Sequence, residues 1–157
     1  MKKLIYLDNA ATTKTSEEVV AAMLPYFTEY YGNPSSVYEF ASESKKAVSN
    51  ARRTIAETLG AQENEIYFTA GGSEADNWAL KATAEAYQSK GKHIITTKIE
   101  HHAILHTCEY LEKKGYEITY VNVDENGTIR MDELKAAIRP DTVSYTHLRA
   151  HETGRNL

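Results

Sequence analysis

Two short stretches of the chain contain residue types that can bind a charged or flat ligand. The first, TAGGSEADNWALKA, runs from Thr69 to Ala82. It places two glycines without a Cβ, Gly71 and Gly72, before a helix-forming segment, so a ligand can approach the backbone closely. The first N–H groups of a helix have no intrahelical acceptor and lie at the positive end of its dipole. Together these features are typical of a phosphate site.

A well-capped turn explains the same residues equally well. Ser73 is predicted as the helix N-cap, with Asp76 at the third helical position. Glu74 and Asp76 also place negative charge in the first turn. The stretch matches neither the Walker loop nor the dinucleotide-binding glycine fingerprint. The residues alone therefore leave both interpretations open.

The second stretch, TTKIEHHAILHTC, runs from Thr96 to Cys108 and contains His101 at a strand-to-helix junction. A histidine there could stack on a flat ring or relay a proton. A surface histidine without a role is the alternative. We interpret Cys108 as a small buried apolar residue and not as a nucleophile.

Two further patterns resemble metal sites. His102 and His106 are four residues apart on a predicted helix, but no Glu-x-x-His frame surrounds them, and we interpret them as polar surface residues. Residues 122–133 fit much of a calcium-binding loop, but a strand and not a helix precedes them, so we predict a polar turn.

The elements that position these residues follow from hydrophobic periodicity. Thr15 is predicted to cap a first helix through a capping box with Glu18, and helical spacing follows to Tyr31, interrupted at Pro25. A long helix is then predicted to end at Gly60. Strands are then predicted at 66–69, 93–97 and 117–123, and helices at 74–90, 102–114 and 132–138. This alternation predicts an α/β fold with a mostly parallel sheet. Both candidate stretches would then lie at the carboxyl edge of that sheet, where ligands collect.

Composition sets broader limits. The 157 residues fit one domain or a piece of a larger protein, and the net charge of -4 argues against nucleic-acid binding. A single cysteine indicates a reducing compartment. The N-terminal apolar run stops at Asp8, which is too short for a signal peptide or a membrane span. We therefore expect a cytoplasmic location and no membrane partner.

Four stretches in order resemble the N-terminal part of cysteine desulfurases, the class V branch of fold-type I pyridoxal-phosphate (PLP) enzymes. They are YLDNAATT, YGNPSSVYEFA, EIYFTAGGSEADNWALK and HIITTKIEHHAIL. The resemblance covers about residues 4 to 142. It implies an incomplete fold-type I large domain at 15–142, preceded by an N-terminal arm at 1–14 that belongs to a smaller domain in the parent fold.

The resemblance also implies site residues. Gly72 and Ser73 would hold the cofactor phosphate, where family members often have Ala-Thr. His101 would lie over the pyridine ring and assist proton transfers, which makes it the catalytic residue of this part of the chain. The family commonly has His where Tyr38 stands, so no role is assigned there.

The activity implied by the resemblance is PLP-dependent removal of sulfur from L-cysteine, giving alanine and an enzyme persulfide for iron–sulfur cluster assembly or thiolation. The implied partners are a second copy in a homodimer and an iron–sulfur scaffold or sulfur-acceptor protein. The lysine that holds PLP and the catalytic cysteine lie beyond residue 157 in the family. We therefore expect this polypeptide alone to be inactive, and sulfide release from cysteine by the purified chain with PLP would contradict that.

The last residues depart from the family. Residues 143–157 are predicted to be a non-family tail, and SYTHLRAHETGRNL lacks the apolar core of a strand, so 144–157 are expected to be foreign to the fold. Other functions stay open. They are another class V enzyme, such as a selenocysteine lyase or an aminotransferase, a non-catalytic phosphate-binding α/β module, and an interaction protein using the 11 tyrosines.

Overall fold

A computed structural model describes residues 5–9 and 11–146 of the chain. Its contacts form two compact units, Met1–Tyr67 and Phe68–Leu157. The helices are α1 (Glu17–Met23), α2 (Pro25–Thr28), α3 (Ser42–Leu59), α4 (Gly72–Tyr87), α5 (His102–Lys113) and α6 (Met131–Ala137), with 3-10 turns at Glu39–Ala41 and Glu63–Glu65. The strands are β1 (His93–Thr97), β2 (Glu117–Val121) and β3 (Thr142–Thr146). No helix in the described ranges is long and apolar enough to span a bilayer.

The first unit is helical. Ser16 caps α1 by accepting a hydrogen bond from the Val19 N–H. Pro25 occupies the first position of α2 and separates it from α1, which confirms the predicted interruption. The long helix α3 ends at Gly60, whose φ of 67° is the left-handed conformation that glycine adopts without a Cβ penalty. Pro25 and Gly60 thus act as predicted, whereas the cap of α1 is Ser16 and not Thr15, and α2 ends at Thr28, before Tyr31.

The second unit is an α/β sheet, which confirms the predicted fold class. Its three strands have the order β2-β1-β3, and β1 pairs in parallel with both neighbours. Every residue of β1 is buried, as expected for a central strand covered on both faces. The carboxyl end of β1 leads directly to the start of α5.

Two apolar clusters cover the faces of this sheet. On one face α4 and α5 contribute to a cluster with β1, composed of Leu80, Ala84, Ile94, Ile104, Cys108 and Leu111. On the other face α6 packs against the sheet through Leu134, with Ile95 and Val121. The alternation of Ile94 and Ile95 to opposite faces is the two-residue period of a strand. The sheet is therefore a layer between helices, and it fixes the positions of α4 and α5.

His93 joins all three strands at the first residue of β1. Its Nδ1 lies 2.7 Å from Thr142 Oγ1 on β3, and its Nε2 lies 2.8 Å from Thr119 Oγ1 on β2. The side chain is 0% exposed. Both ring nitrogens are therefore hydrogen-bonded within the sheet, as a buried imidazole requires.

The strand predicted at 66–69 is not present. The chain makes the 3-10 turn Glu63–Glu65 and continues as irregular backbone to the start of α4. Strand structure depends on pairing, and the described residues provide no strand beside this segment. Residues 66–69 do have the side-chain types that favour strands, but whether a segment has a pairing partner cannot be predicted from local sequence.

The expectation of no strand after Val143 is wrong for residues 144–146. Ser144, Tyr145 and Thr146 pair with β1, after a register irregularity at Val143. Thr96 Oγ1 also donates to the Thr146 carbonyl over 3.0 Å. Threonine and tyrosine favour strands, and the open edge of β1 supplies the backbone partners. Residues 147–157 lie outside the described part, and both the foreign origin of the tail and the boundaries at 14 and 142 stay predictions.

Candidate functional site

The start of α4 differs from the predicted cap. The N-cap is Gly71, in extended backbone with φ 167° and ψ 173°, and Gly72 is the first helical residue. Ser73 therefore occupies the second helical position, and its prediction as the N-cap is wrong. The helix begins earlier because Glu74 Oε2 accepts the Ala70 N–H over 2.6 Å and closes the preceding turn. The Ser73 hydroxyl is left exposed in the first turn.

The backbone at this helix start is open. A Cβ built on Gly71 or on Gly72 would meet no atom within 4 Å. The N–H groups of Gly72 and Ser73 belong to the first turn, where the helix has no acceptor for them. Two backbone donors, one hydroxyl and the positive end of a 16-residue helix thus face approachable space. This donor set fits the oxygens of a phosphate group.

The acidic residues of the first turns have separate environments. Glu74 is engaged with the Ala70 N–H. Burial raises the pKa of Asp76, the nearby His101 opposes that rise, and the Glu100 carboxylate adds to it. Asp76, Glu100 and His101 therefore form one electrostatic cluster across the starts of α4 and α5.

The start of α5 is built from side chains. Thr97 Oγ1, at the end of β1, donates to Glu100 Oε1 over 2.7 Å, and Glu100 is only 4% exposed. His101 is the N-cap, and its Nδ1 accepts the Ala103 N–H over 3.1 Å. A neutral imidazole that accepts at Nδ1 carries its proton on Nε2. The cap therefore fixes both the position of the ring and its tautomer.

The two helix starts are joined through Asn77. Its Nδ2 donates to the Ser73 carbonyl over 2.9 Å and to the Ala103 carbonyl over 3.5 Å. The predicted neighbourhood of the glycine–serine turn and His101 is therefore present in the structure. The reason differs from the predicted one, because the α4 start does not follow a strand of the sheet.

Asn77 and Glu100 were not identified as site residues from the sequence. Asn77 had one available signal, because asparagine within a helix is unfavourable unless its amide is used. Glu100 had none, since a glutamate in a loop reads as exposed. Its burial follows from the path that the chain takes between β1 and α5.

The other candidate residues lie outside this cluster. Cys108 is fully buried, and burial raises the pKa of its thiol to about 11, in agreement with the interpretation as an apolar residue. The rings of His102 and His106 stack, with centroids 5.3 Å apart. Within the described ranges, no group of three or more potential ligand side chains could hold a metal.

The predicted polar turn within residues 122–133 is confirmed. Asp124 Oδ1 accepts the N–H groups of Asn126 and Thr128. Glu133 Oε2 accepts both the backbone and the side-chain N–H of Asn122. These carboxylates therefore close the turn through hydrogen bonds from the chain itself.

Comparison with known proteins identifies close relatives. The aminotransferase class-V family model matches residues 5–154. The cysteine desulfurase IscS of Methanosarcina thermophila is 59% identical over 141 residues, which are 90% of this chain and 35% of that protein. The solved structure of a NifS-like protein superposes with a TM-score of 0.88 at 38% identity, over 91% of this chain and 39% of the other. A structure of SspA in complex with cysteine gives a TM-score of 0.85 at 38% identity, over 90% and 41%.

These likenesses extend over nearly the whole chain but only part of each relative. The chain spans about a third of the IscS relative's length, and it corresponds to the N-terminal part. The family model and the superposition on the NifS-like protein each cover most of this chain. The chain thus belongs to the aminotransferase class-V family and resembles the N-terminal part of its cysteine desulfurase members.

Proposed function

We propose that this chain is the N-terminal part of a PLP-dependent cysteine desulfurase, and that the start of α4 holds the phosphate of its cofactor. The observation that carries the proposal is the open first turn of α4, joined through Asn77 to the histidine-capped start of α5. The 59% identity to a cysteine desulfurase supports this reaction over those of other class V enzymes. When bound, PLP supplies an electron sink for carbanions of an amino-acid substrate.

The phosphate is held by backbone and hydroxyl donors. The N–H groups of Gly72 and Ser73 and the Ser73 Oγ act as hydrogen-bond donors, and the dipole of α4 favours a dianion. Hydrogen bonds to a charged acceptor contribute about 1.5 to 3 kcal/mol each, roughly twice the value for neutral pairs. Serine keeps the hydroxyl that threonine provides in other family members.

His101 acts through its Nε2. Because the Ala103 N–H occupies Nδ1, the neutral ring presents an N–H donor at Nε2. In this tautomer Nε2 already carries a proton, and adding one at Nδ1 would remove the acceptor of the Ala103 N–H. The cap therefore favours His101 as a flat ring and a hydrogen-bond donor at Nε2.

The wider function follows the family. We propose L-cysteine as the substrate, alanine as one product, and a protein persulfide as the carrier of sulfur to iron–sulfur assembly or thiolation. A homodimer, a scaffold or other sulfur-acceptor protein as partner, and a cytoplasmic location belong to the same proposal. A selenocysteine lyase or a class V aminotransferase shares the phosphate site, so the substrate must be tested separately. Because the 157-residue chain is expected to be inactive, alanine and sulfide formation from L-cysteine is assayed with a longer protein that includes the family's lysine and cysteine.

The site itself can be tested in the 157-residue chain with pyridoxamine 5′-phosphate, which has no aldehyde to react with surface lysines. The 15N-labelled chain is titrated with this ligand and with pyridoxamine, which lacks the phosphate. We expect the amide signals of Gly72 and Ser73 to shift, and the phosphorylated ligand to bind at least tenfold more tightly. Equal affinities, or shifts confined to other residues, would refute the phosphate site.

A matched pair of serine variants sharpens the test. Ser73→Ala removes the hydroxyl from the first turn of α4 and should weaken pyridoxamine 5′-phosphate about tenfold, the value of one charged hydrogen bond. Ser89→Ala changes an exposed serine just beyond the other end of the same helix and should leave the affinity unchanged. Equal effects of the two substitutions would assign the binding to general charge instead of to this turn.

A further inference from the structure

The Asn77 side chain contacts both helix starts at once. Its Nδ2 donates to Ser73 O over 2.9 Å within α4 and reaches Ala103 O, on α5, over 3.5 Å. The first bond runs back one helical turn, and the second joins residues that are 26 apart in sequence. An alanine or a leucine at this position would fit the helix but would join nothing across it.

Lys81 sets the orientation of this amide. Its Nζ donates to Asn77 Oδ1 over 2.8 Å. The same ammonium group lies 4.8 Å from the centroid of the Tyr110 ring on α5. With the oxygen facing an obligate donor, the NH2 group must face the two carbonyls. The opposite amide orientation would place an oxygen against both carbonyl oxygens and is excluded.

The hydrogen bonds continue from Ala103 to the imidazole. The Ala103 carbonyl accepts a hydrogen bond from Asn77 Nδ2, and the Ala103 N–H donates to His101 Nδ1. Thr107 Oγ1 also donates to this carbonyl, over 2.8 Å, and anchors it within α5. A connected path thus leads from the Ser73 peptide to the His101 ring, through one side chain and one residue of α5.

We infer that Asn77 is a positioning residue, which fixes the spacing between the phosphate-binding turn of α4 and the His101 ring. The inference rests on the proposed function, in which the Ser73 end of the path binds the phosphate of PLP and the His101 end binds its pyridine ring. Asn77 touches neither end of that ligand. Its effect is to hold two binding elements at the separation that a phosphorylated pyridine ring requires.

This role differs from simple helix packing in what it predicts for binding. A ligand that uses both elements should lose affinity when the spacing is released. A ligand that uses only the α4 turn, such as inorganic phosphate, should bind as before. General destabilisation of α4 would weaken both ligands together.

The experiment measures the affinities of pyridoxamine 5′-phosphate and inorganic phosphate, from the amide shifts of Gly72 and Ser73, in the 157-residue chain. Asn77→Ala should lower the affinity for pyridoxamine 5′-phosphate about tenfold and change the affinity for inorganic phosphate by no more than about twofold. His101→Ala should give the same pattern. The double variant should lose little more than either single one, because neighbours in one network are not additive.

Two further variants keep the test interpretable. Asn77→Ser can still donate to the carbonyl four residues back but cannot reach α5, so it should match Asn77→Ala in binding with less effect on folding. Asn50→Ala changes an exposed asparagine in α3 and should alter neither affinity. Thermal unfolding followed by circular dichroism verifies that each variant is folded.

The outcomes separate the two levels of the proposal. If the unmodified chain binds neither ligand at α4, the proposed function fails and the inference fails with it. If the unmodified chain binds both, and Asn77→Ala and Asn77→Ser weaken both equally or neither, the inference alone is overturned. Additive losses in the double variant would also overturn it, because Asn77 would then act independently of His101.

Discussion

The starts of α4 and α5 are both capped helix N-termini, but the caps are of different kinds. At α4 the cap is a glycine, the donors of the first turn are backbone N–H groups, and a Cβ built on Gly71 or Gly72 would meet no atom within 4 Å. At α5 the cap is the His101 imidazole, supported by the buried Thr97–Glu100 hydrogen bond. Changes at α4 should therefore alter binding with little loss of stability, whereas changes at α5 should alter stability first.

The largest contrast is expected between two glycine substitutions on either side of α4. A Cβ at Gly91 would clash with the backbone carbonyl of Asp141, so Gly91→Ala must displace backbone and should lower the free energy of unfolding by about 3 kcal/mol. Gly72→Ala, in open space, should change it by less than about 0.5 kcal/mol. Urea unfolding measures both, and equal midpoints would contradict the openness of the α4 start.

The next effect tests the buried support of α5. Thr97→Val removes the hydroxyl that donates to Glu100 and should lower the free energy of unfolding by about 2 kcal/mol, the usual value for a lost bond to a charged group. Thr97→Ser keeps the hydroxyl donor and should lower the free energy of unfolding clearly less. If Thr97→Ser instead costs as much as or more than Thr97→Val in urea unfolding, then the hydrogen bond is not the main support of this junction.

A smaller effect separates the capping and ligand roles of His101. His101→Ala removes the acceptor for the Ala103 N–H and should cost about 1 kcal/mol. His101→Asn supplies another capping acceptor and should restore most of that stability, but it has no aromatic ring. The two variants should therefore differ in thermal unfolding and agree in their weakened binding of pyridoxamine 5′-phosphate. Full binding by His101→Asn would contradict the assignment of the ring to the ligand.

The smallest effect is expected at Glu74. Its carboxylate accepts the exposed Ala70 N–H, and Glu74→Ala should cost only about 0.5 kcal/mol in urea unfolding, because water can replace this acceptor. The same substitution removes a negative charge near the proposed phosphate site, so phosphate affinity should rise slightly. A large loss of stability would indicate that the α4 start depends on side chains as much as the α5 start does.

Local patterns were sufficient to predict much of the fold. The break at Pro25, the end of α3 at Gly60 and the alternation after residue 90 depend on neighbouring residues alone, and each is present. Pairing was not predictable in the same way. Residues 66–69 have strand-forming side chains, but the described part of the chain has no strand beside their backbone, whereas 144–146 are polar but lie against an open edge of β1.

In the candidate site, too, local patterns predict single residues but not the contacts between distant ones. Gly72, Ser73 and His101 were predicted from motif and resemblance, because helix starts and glycines leave a local signature. Asn77 joins residues on two helices, and Glu100 is buried by the path of the chain, so neither property is visible in a short stretch. The assumed cap at Ser73 was wrong because the Glu74 carboxylate, one residue further on, closes the turn.

The buried imidazole that joins the three strands makes the sheet sensitive to acid. Burial lowers the pKa of His93, Arg139 lowers it further, and Asp141 and Glu117 oppose them. In the unfolded chain a histidine takes up its proton near pH 6.5. As the pH falls below that value, the unfolded state binds a proton that the folded state still refuses, so the folded state loses stability. Acidification should therefore lower the stability of the sheet that supports the starts of both α4 and α5.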